Sequence, residues 1–204
     1  MFTGIVQKSV PISFVEHTPT LSRYAVHLPH ELLDDLKIGA SVSINGCCQT
    51  VVAIKENNVY FEAIAETLRC TNIPTFKIDT LVNVEHSTKF GDEIGGHLLS
   101  GHIIGTATIS HIVANNAGEH VLTLTCNTAW MKYILYKGYI ALNGASLTVQ
   151  TVDSKGHFTV HLIPETLRIT TFNKAQIGDL VNIEVDSQTQ AIVDTVERVL
   201  AARK

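Results

Sequence analysis

Asn45-Gly46-Cys47-Cys48-Gln49-Thr50-Val51 governs the reading of this chain, because a second version of it follows 98 residues later. That copy is Asn143-Gly144-Ala145-Ser146-Leu147-Thr148-Val149. Glu66-Thr67-Leu68-Arg69 returns as Glu165-Thr166-Leu167-Arg168, and Leu81-Val82-Asn83-Val84-Glu85 as Leu180-Val181-Asn182-Ile183-Glu184, each 99 residues on. The added residue falls in the turn Asp153-Ser154-Lys155-Gly156-His157, which is longer than its counterpart Lys55-Glu56-Asn57-Asn58. A surface turn is where an insertion costs least, so the flanking segments keep their phase. A fainter echo pairs Thr3-Gly4-Ile5-Val6 with Ser100-Gly101-His102-Ile103. The chain is one domain, duplicated.

Its 204 residues accommodate two units of common domain size. We place the first at 1–87, a Gly-containing linker at 88–97, the second at 98–187 and a terminal segment at 188–204. A formal charge of −4 offers no basic footprint, so nucleic acid is not an expected partner. Apolar runs fall short of a membrane span, and the start Met1-Phe2-Thr3-Gly4 lacks the features of a signal peptide. The four cysteines, Cys47, Cys48, Cys70 and Cys126, include an adjacent pair that would not normally bridge. Reduced thiols and a cytoplasmic protein are expected.

The pattern in the first half predicts strands at 4–14, 24–28, 40–44, 49–54, 59–64 and 82–85. A short helix over His30–Leu36 is expected after Pro29. Glu56-Asn57-Asn58 is read as a hairpin turn, since Asn tolerates positive φ. The second half repeats this order, with strands at 103–112, 120–125, 140–142, 147–152, 158–162 and 181–185 and a helix at 128–136. Many short strands with one small helix per half describe an all-β protein of two similar small barrels. The end of the chain has no counterpart. Ile192, Val193, Val196, Val199 and Leu200 recur at helical spacing over 189–202, a stripe that either packs on the barrels or seals an oligomer.

Two similar pockets imply two copies of one ligand, yet the reactive side chains differ. Cys48 aligns with Ser146, Ser41 with Tyr139, Ile5 with His102 and Ser87 with Asp186. The first half carries a candidate nucleophile, and the second a candidate acid–base pair, His102 and Asp186. Identical molecules would then be treated differently. Each residue also has an ordinary reading. Buried cysteines usually pack as small hydrophobes, and Cys47 faces away from Cys48 on a strand. Asp186 suits a turn or cap, and Thr50 and Thr148 are ordinary strand residues. His97 and His102 lack a third ligand in the sequence, so no metal is expected.

Met1-Phe2-Thr3-Gly4-Ile5-Val6, Asn45-Gly46-Cys47-Cys48, Gly95-Gly96-His97, Ser100-Gly101-His102, Lys137-Gly138, Ser146-Leu147-Thr148-Val149 and Ile163-Pro164-Glu165-Thr166-Leu167 together resemble riboflavin synthase. The resemblance spans the whole chain. It implies two six-stranded Greek-key barrels and a homotrimer held by C-terminal helices. It also implies a dismutation without cofactor, in which one 6,7-dimethyl-8-ribityllumazine gives a four-carbon unit to another. The products are riboflavin and 5-amino-6-ribitylaminouracil. An association with lumazine synthase is also within the family's range.

Carried onto this sequence, Cys48, His102, Asp186, Ser146 and Ser41 are the catalytic candidates. The first pterin pocket matches Gly4, Ile5 and Val6, then Cys48, Gln49 and Thr50, with Glu62, Ala63, Ile64, Ala65, Glu66 and Thr67. The second matches Gly101, His102 and Ile103, then Lys137, then Ser146, Leu147 and Thr148, with His161, Leu162, Ile163, Pro164, Glu165 and Thr166. A positioned base would take a proton from the C7 methyl of one lumazine. Hydroxyls would follow charge over the ring, and apposition of two substrates would supply much of the acceleration. The sequence departs from the family at Gln49, at Asn143-Gly144-Ala145 and at Glu62-Ala63-Ile64-Ala65. The rival reading is an antenna protein that binds lumazine or flavin without turnover; such proteins resemble the synthase mainly in their first half. A purely structural trimer leaves the duplicated motifs unexplained.

Overall fold

The two Asn-Gly pairs are hairpin turns that meet back to back. Both central residues take positive φ, 46° and 81° at Asn45 and Gly46 and 44° and 81° at Asn143 and Gly144. This is the primed turn geometry that matches the twist of the flanking strands. A Cβ on Gly46 would lie 2.7 Å from the Gly144 amide nitrogen, so the turns abut at the centre of the molecule. The sequence pattern left Asn45–Cys48 between two strands; the two-residue turn lets strand pairing resume at once, with Ile44 opposite Cys47.

The structure, a computed structural model, describes residues 1–115 and 119–203. Residues 116–118 of the expected second barrel and Lys204 of the expected terminal segment lie outside the described residues. The first six strands are β1 (Lys8–His17), β2 (Leu21–His27), β3 (Ser41–Ile44), β4 (Cys47–Lys55), β5 (Asn58–Ile64) and β6 (Leu81–His86). The second six are β7 (Gly105–Ala114), β8 (His120–Thr125), β9 (Tyr139–Leu142), β10 (Ala145–Val152), β11 (His157–His161) and β12 (Leu180–Val185). They close two antiparallel barrels in the orders β1-β2-β5-β4-β3-β6 and β7-β8-β11-β10-β9-β12. Alternate residues fill each interior. Val42, Ile44, Val51, Phe61 and Val84 pack in one, and Ile140, Leu142, Val149, Val160 and Ile183 in the other.

Several elements differ from expectation. Residues 4–7 of the expected first strand precede β1 rather than belonging to it, and just ahead of them Phe2 bridges Leu99. The helices expected at 30–36 and 128–136 are single 3-10 segments, His30–Leu32 and Thr128–Tyr133. The hairpin between β4 and β5 places Glu56, not an asparagine, at positive φ (53°). Two short helices, α1 (Ala65–Cys70) and α2 (Pro164–Ile169), occupy the repeated Glu-Thr-Leu-Arg motif. In each, the glutamate pairs with the arginine three residues on, Glu66 with Arg69 and Glu165 with Arg168, both at 2.6 Å. These are exposed pairs and add little stability.

The terminal helix α3 (Ser187–Ala201) begins at Asp186, whose carboxylate accepts from the Thr189 amide and hydroxyl at 2.8 and 2.7 Å. It is tied to the second barrel by the Tyr133 hydroxyl donating to Asp194 (2.6 Å) and by Val193. Most of its apolar stripe is uncovered, with Ile192, Val196, Val199 and Leu200 each about half exposed or more.

Four asparagines weld the barrels. Asn83 donates to the Asn143 carbonyl (2.9 Å) and accepts from the Thr171 amide (2.8 Å); Asn182 donates to the Asn45 carbonyl (2.8 Å) and accepts from the Asn72 amide (2.7 Å). Asn45 and Asn143 in turn accept from the Asn83 and Asn182 amides. All four are buried. Each Asn83 or Asn182 side chain thus satisfies a backbone donor and a backbone acceptor across the seam. Substituting Ala for Asn182 leaves both unpaired, and the expected loss is roughly 2–6 kcal/mol at about 1–3 per group. Urea unfolding would measure it; a loss below 1 kcal/mol would refute the weld.

Candidate active site

The segments that begin the two repeats cross over. Phe2 and Leu99 exchange backbone hydrogen bonds at 2.8 and 3.0 Å, and the His97 amide donates to the Thr3 carbonyl. Beyond this bridge the Gly4 carbonyl accepts from the Ser146 amide (2.8 Å), while the Gly101 carbonyl accepts from the Cys48 amide (2.9 Å). Val6 is buried in the second barrel's core, and Ile103 packs against the first. The first repeat's leading segment therefore serves the second barrel, and the converse. This corrects the grouping expected from sequence, which kept Gly4, Ile5 and Val6 with Cys48 and Gly101, His102 and Ile103 with Ser146. Order along the chain suggested that grouping; the antiparallel bridge reverses it.

Only glycine permits the approach. Gly4 and Gly101 take φ of 76° and 80°. A Cβ on Gly4 would lie 2.6 Å from the Ser146 Cβ, and one on Gly101 2.5 Å from the Cys48 Cβ. Each crossed segment is fastened by a buried carboxylate. Glu85 accepts from the Thr3 amide (2.6 Å), the Thr3 hydroxyl (2.8 Å) and the Gly4 amide (3.1 Å). Glu184 accepts from the Ser100 amide (2.6 Å), the Ser100 hydroxyl (2.8 Å) and the Gly101 amide (3.0 Å). Burial raises both carboxyls above the ordinary range, and these hydrogen bonds draw them back toward the charged form.

The crossing builds a cavity of about 220 Å³ lined by Cys48, Glu66, Thr67, Gly101, His102 and Ile103. Cys48 is half-buried and Thr50 exposed on the outward face of β4, while Cys47 and Gln49 turn into the barrel. Burial pushes the Cys47 thiol up to about 12, so it stays a packing group. The Gln49 amide donates to Cys47 Sγ (3.3 Å) and the Cys48 carbonyl (3.0 Å), which leaves only its backbone toward Cys48's side. Val6, Ala63, Leu147 and Leu162 likewise bury their side chains. Ile64 with Ala65 and Ile163 with Pro164 stand exposed at the starts of α1 and α2, ahead of half-buried Thr67 and Thr166. Glu62 is engaged with Arg23 at 2.7 Å, and His161 is exposed at the end of β11.

In the second barrel Ser146 is half-buried and Thr148 exposed on β10, the latter opposite Tyr139 as Thr50 is opposite Ser41. Lys137, at φ 61° before β9, donates to Gln150 at 2.7 Å. Among the described residues no hydrogen bond or ion pair joins His102 to its expected partner Asp186, whose carboxylate is taken by Thr189. His102 lines the cavity beside Cys48 and lies within electrostatic range of the Glu184 carboxyl. Asp186 caps α3 and lies within electrostatic range of His97. Sequence reading missed three residues here. His97 bonds Ser146 through Nδ1 at 2.7 Å, and Glu85 and Glu184 were visible only as the last letters of a repeated strand motif. A larger cavity of about 350 Å³ lies in the seam near Asn72, Asn143 and Lys174, and holds none of the expected site residues. No group of three metal-binding side chains occurs among the described residues.

The profile of the lumazine binding domain family matches residues 3–87 and again 100–186. The chain belongs to that family. Among curated relatives, it is 50% identical over its full length to riboflavin synthase of Escherichia coli (strain K12), covering 95% of that protein. It is 40% identical to riboflavin synthase of Chlamydia pneumoniae over 99% of this chain and 98% of that one. Among solved structures, LumP complexed with riboflavin superimposes with a TM-score of 0.84 at 26% identity, over 92% of this chain and all of that one. LumP complexed with 6,7-dimethyl-8-(1'-D-ribityl) lumazine gives 0.81 at 25% identity, over 91% and 99%. Over that span the two folds agree.

The raised carboxyl of Glu184 fixes the sign of a pH effect. A folded-state value above the usual 4.5 means the folded protein takes up the proton first, so this group's contribution grows as pH falls from neutral toward 4.5 and is lost as pH rises through the folded value. Glu184→Gln cannot titrate. The wild type's advantage over that variant should be larger at pH 5 than at pH 7.5, measured by urea midpoints; an advantage that shrinks on acidification would reverse the assignment.

Proposed function

We propose that this protein is a riboflavin synthase, converting two molecules of 6,7-dimethyl-8-ribityllumazine into riboflavin and 5-amino-6-ribitylaminouracil. The observation that carries this reading is the full-length identity to curated riboflavin synthases, 50% in one case, together with both copies of the lumazine-binding unit. Two equivalent substrates suit two equivalent barrels. Cys48 and Ser146 stand at the same place in the two units, each with its amide held by a crossed glycine carbonyl. One lumazine loses a proton from its C7 methyl group and becomes a carbon nucleophile; the other is attacked at its electron-poor ring. Cys48 and His102 are our candidates for the proton and nucleophile chemistry beside one substrate, and Ser146 for hydrogen bonding to the other. Asp186 we reassign to positioning, since it caps α3. Ser41 and Thr50 face each other across β3 and β4, close enough in the strand register to hold one ligand together.

The exposed stripe on α3 supports assembly. Ile192, Val196 and Val199 follow the spacing of a helix seam, and burying such side chains is worth about 1.5–3 kcal/mol each. We infer a homotrimer joined through α3, with sites shared between copies. The four free cysteines fit a reducing compartment, and we place the protein in the cytoplasm. An association with lumazine synthase is a further proposal of the family resemblance. The likeness to LumP favours a second reading, a carrier that binds lumazine unchanged. Against it, the second unit keeps Ser146, Thr148 and Ile163-Pro164-Glu165-Thr166.

Mixing the purified protein with the lumazine alone separates the two. Riboflavin beyond one equivalent per chain, at about half the lumazine consumed, is the synthase outcome; bound but unchanged lumazine is the carrier outcome. Cys48→Ala should lower turnover about 100-fold or more while binding persists, as expected for removal of a positioned acid–base or nucleophilic group. Near-normal turnover would remove Cys48 from the chemistry. Deleting residues 190–204 should give monomers of low activity, and sedimentation of an intact, active trimer would overturn the role of α3.

A further inference from the structure

Burial and ring stacking hold His97 in one orientation, with its Nδ1 2.7 Å from the Ser146 hydroxyl oxygen. The imidazole is 7% exposed and lies parallel to the Tyr139 ring, with centroids 5.0 Å apart and planes 16° from each other. Its other nitrogen, Nε2, is buried with no hydrogen-bond partner. The preceding Gly96 backbone packs directly on Ser146; a Cβ there would collide with the Thr3 carbonyl and lie 2.6 Å from the Ser146 Cβ.

These contacts decide the tautomer. Burial lowers the ring's proton affinity, opposed by the nearby Asp186 charge, so the ring is neutral and carries one N–H. On Nε2 that proton would be an orphaned buried donor, a rarer and costlier state than an orphaned acceptor. On Nδ1 it is donated to Ser146. The serine oxygen then accepts from His97, and its own proton is left free to point away from the ring. Among the described residues the Cys48 thiol has no such partner, so the two equivalent positions are chemically unlike.

We propose that His97 is a positioning residue that sets Ser146 as a hydrogen-bond donor to an acceptor atom of the lumazine in the second pocket. The proposal rests on the riboflavin synthase reading for its ligand, but on geometry for the pair itself. Hydrogen bonds to the ring's carbonyl oxygens or nitrogens, where charge collects, are the chemistry such a donor serves.

The test is a double-mutant cycle on the intact protein. The variants are Ser146→Ala, His97→Phe and their combination, with His97→Asn and His97→Gln as geometric controls. Affinity for 6,7-dimethyl-8-ribityllumazine is read by fluorescence titration, and kcat and KM are read separately. Each single variant should weaken binding at one of the two sites about 5- to 10-fold, and the combination should be no worse than Ser146→Ala alone. His97→Asn places an amide nitrogen near Nδ1 and should restore binding to within about twofold. His97→Gln, closer to histidine in length but reaching toward Nε2, should not. Losses that multiply in the combination, or rescue by Gln rather than Asn, would overturn the proposal. A misfolded His97→Phe leaves the Asn and Gln comparison to decide. Wild-type protein that binds lumazine without forming riboflavin would sink the synthase reading, while the binding cycle would still judge the His97–Ser146 pair.

Discussion

Two backbone hydrogen bonds, from the Cys48 amide to the Gly101 carbonyl and from the Ser146 amide to the Gly4 carbonyl, set the terms for the rest of this structure. They demand that a peptide segment lie directly against the outward face of a barrel strand, which excludes a side chain at the point of contact. Glycine at positive φ meets that demand. They also demand an anchor, because a segment outside the barrel's own ladder has unpaired amides. Glu85 and Glu184 supply it, each taking two backbone N–H groups and a hydroxyl. A carboxylate buried for this purpose is costly to desolvate, and three charge-assisted hydrogen bonds offset part of that cost.

The crossing makes the two barrels interdependent. The pocket wall at Cys48 is not complete within its own repeat, since Gly101, His102 and Ile103 line that cavity. The asparagine weld at the abutting Asn-Gly turns then holds the barrels at the one spacing where both crossed segments reach their strands. Relative motion of the barrels would break the weld and the two anchoring bridges together, so the site inherits the rigidity of the seam.

The sequence made the duplication, the strand content and most core faces legible, because strands repeat with period two and the motifs recur at nearly constant spacing. It did not reveal the crossing. Strand order says which residues are near in one repeat, but the Phe2–Leu99 bridge depends on tertiary geometry that leaves no period in the chain. The helices α1 and α2 were hidden for a different reason. Six residues are too few for a hydrophobic stripe, and only their Glu-to-Arg spacing marked them. Asp186 had two readings, and its bonds to Thr189 favour the cap. His97 was conspicuous as a letter but not as a partner, since Ser146 lies 49 residues away.

Duplication alone would give two identical pockets, and identical pockets cannot distinguish donor from acceptor. Several departures from symmetry fall at the crossed segments and the strand positions they meet. Cys48 stands where Ser146 does, His102 where Ile5 does, and His97 bonds only the serine. Each change alters hydrogen bonding or acidity while leaving the backbone frame of Gly4, Gly101, Glu85 and Glu184 alike in both halves. A frame that is symmetric in shape and asymmetric in chemistry can bind the same molecule twice yet impose opposite roles. The uncovered apolar face of α3, the other departure from the repeat, lies on the helix that Asp186 caps beside His97. A contact made on that face would act on a helix whose capping carboxylate lies within electrostatic range of His97, and so of the one pocket residue that His97 bonds.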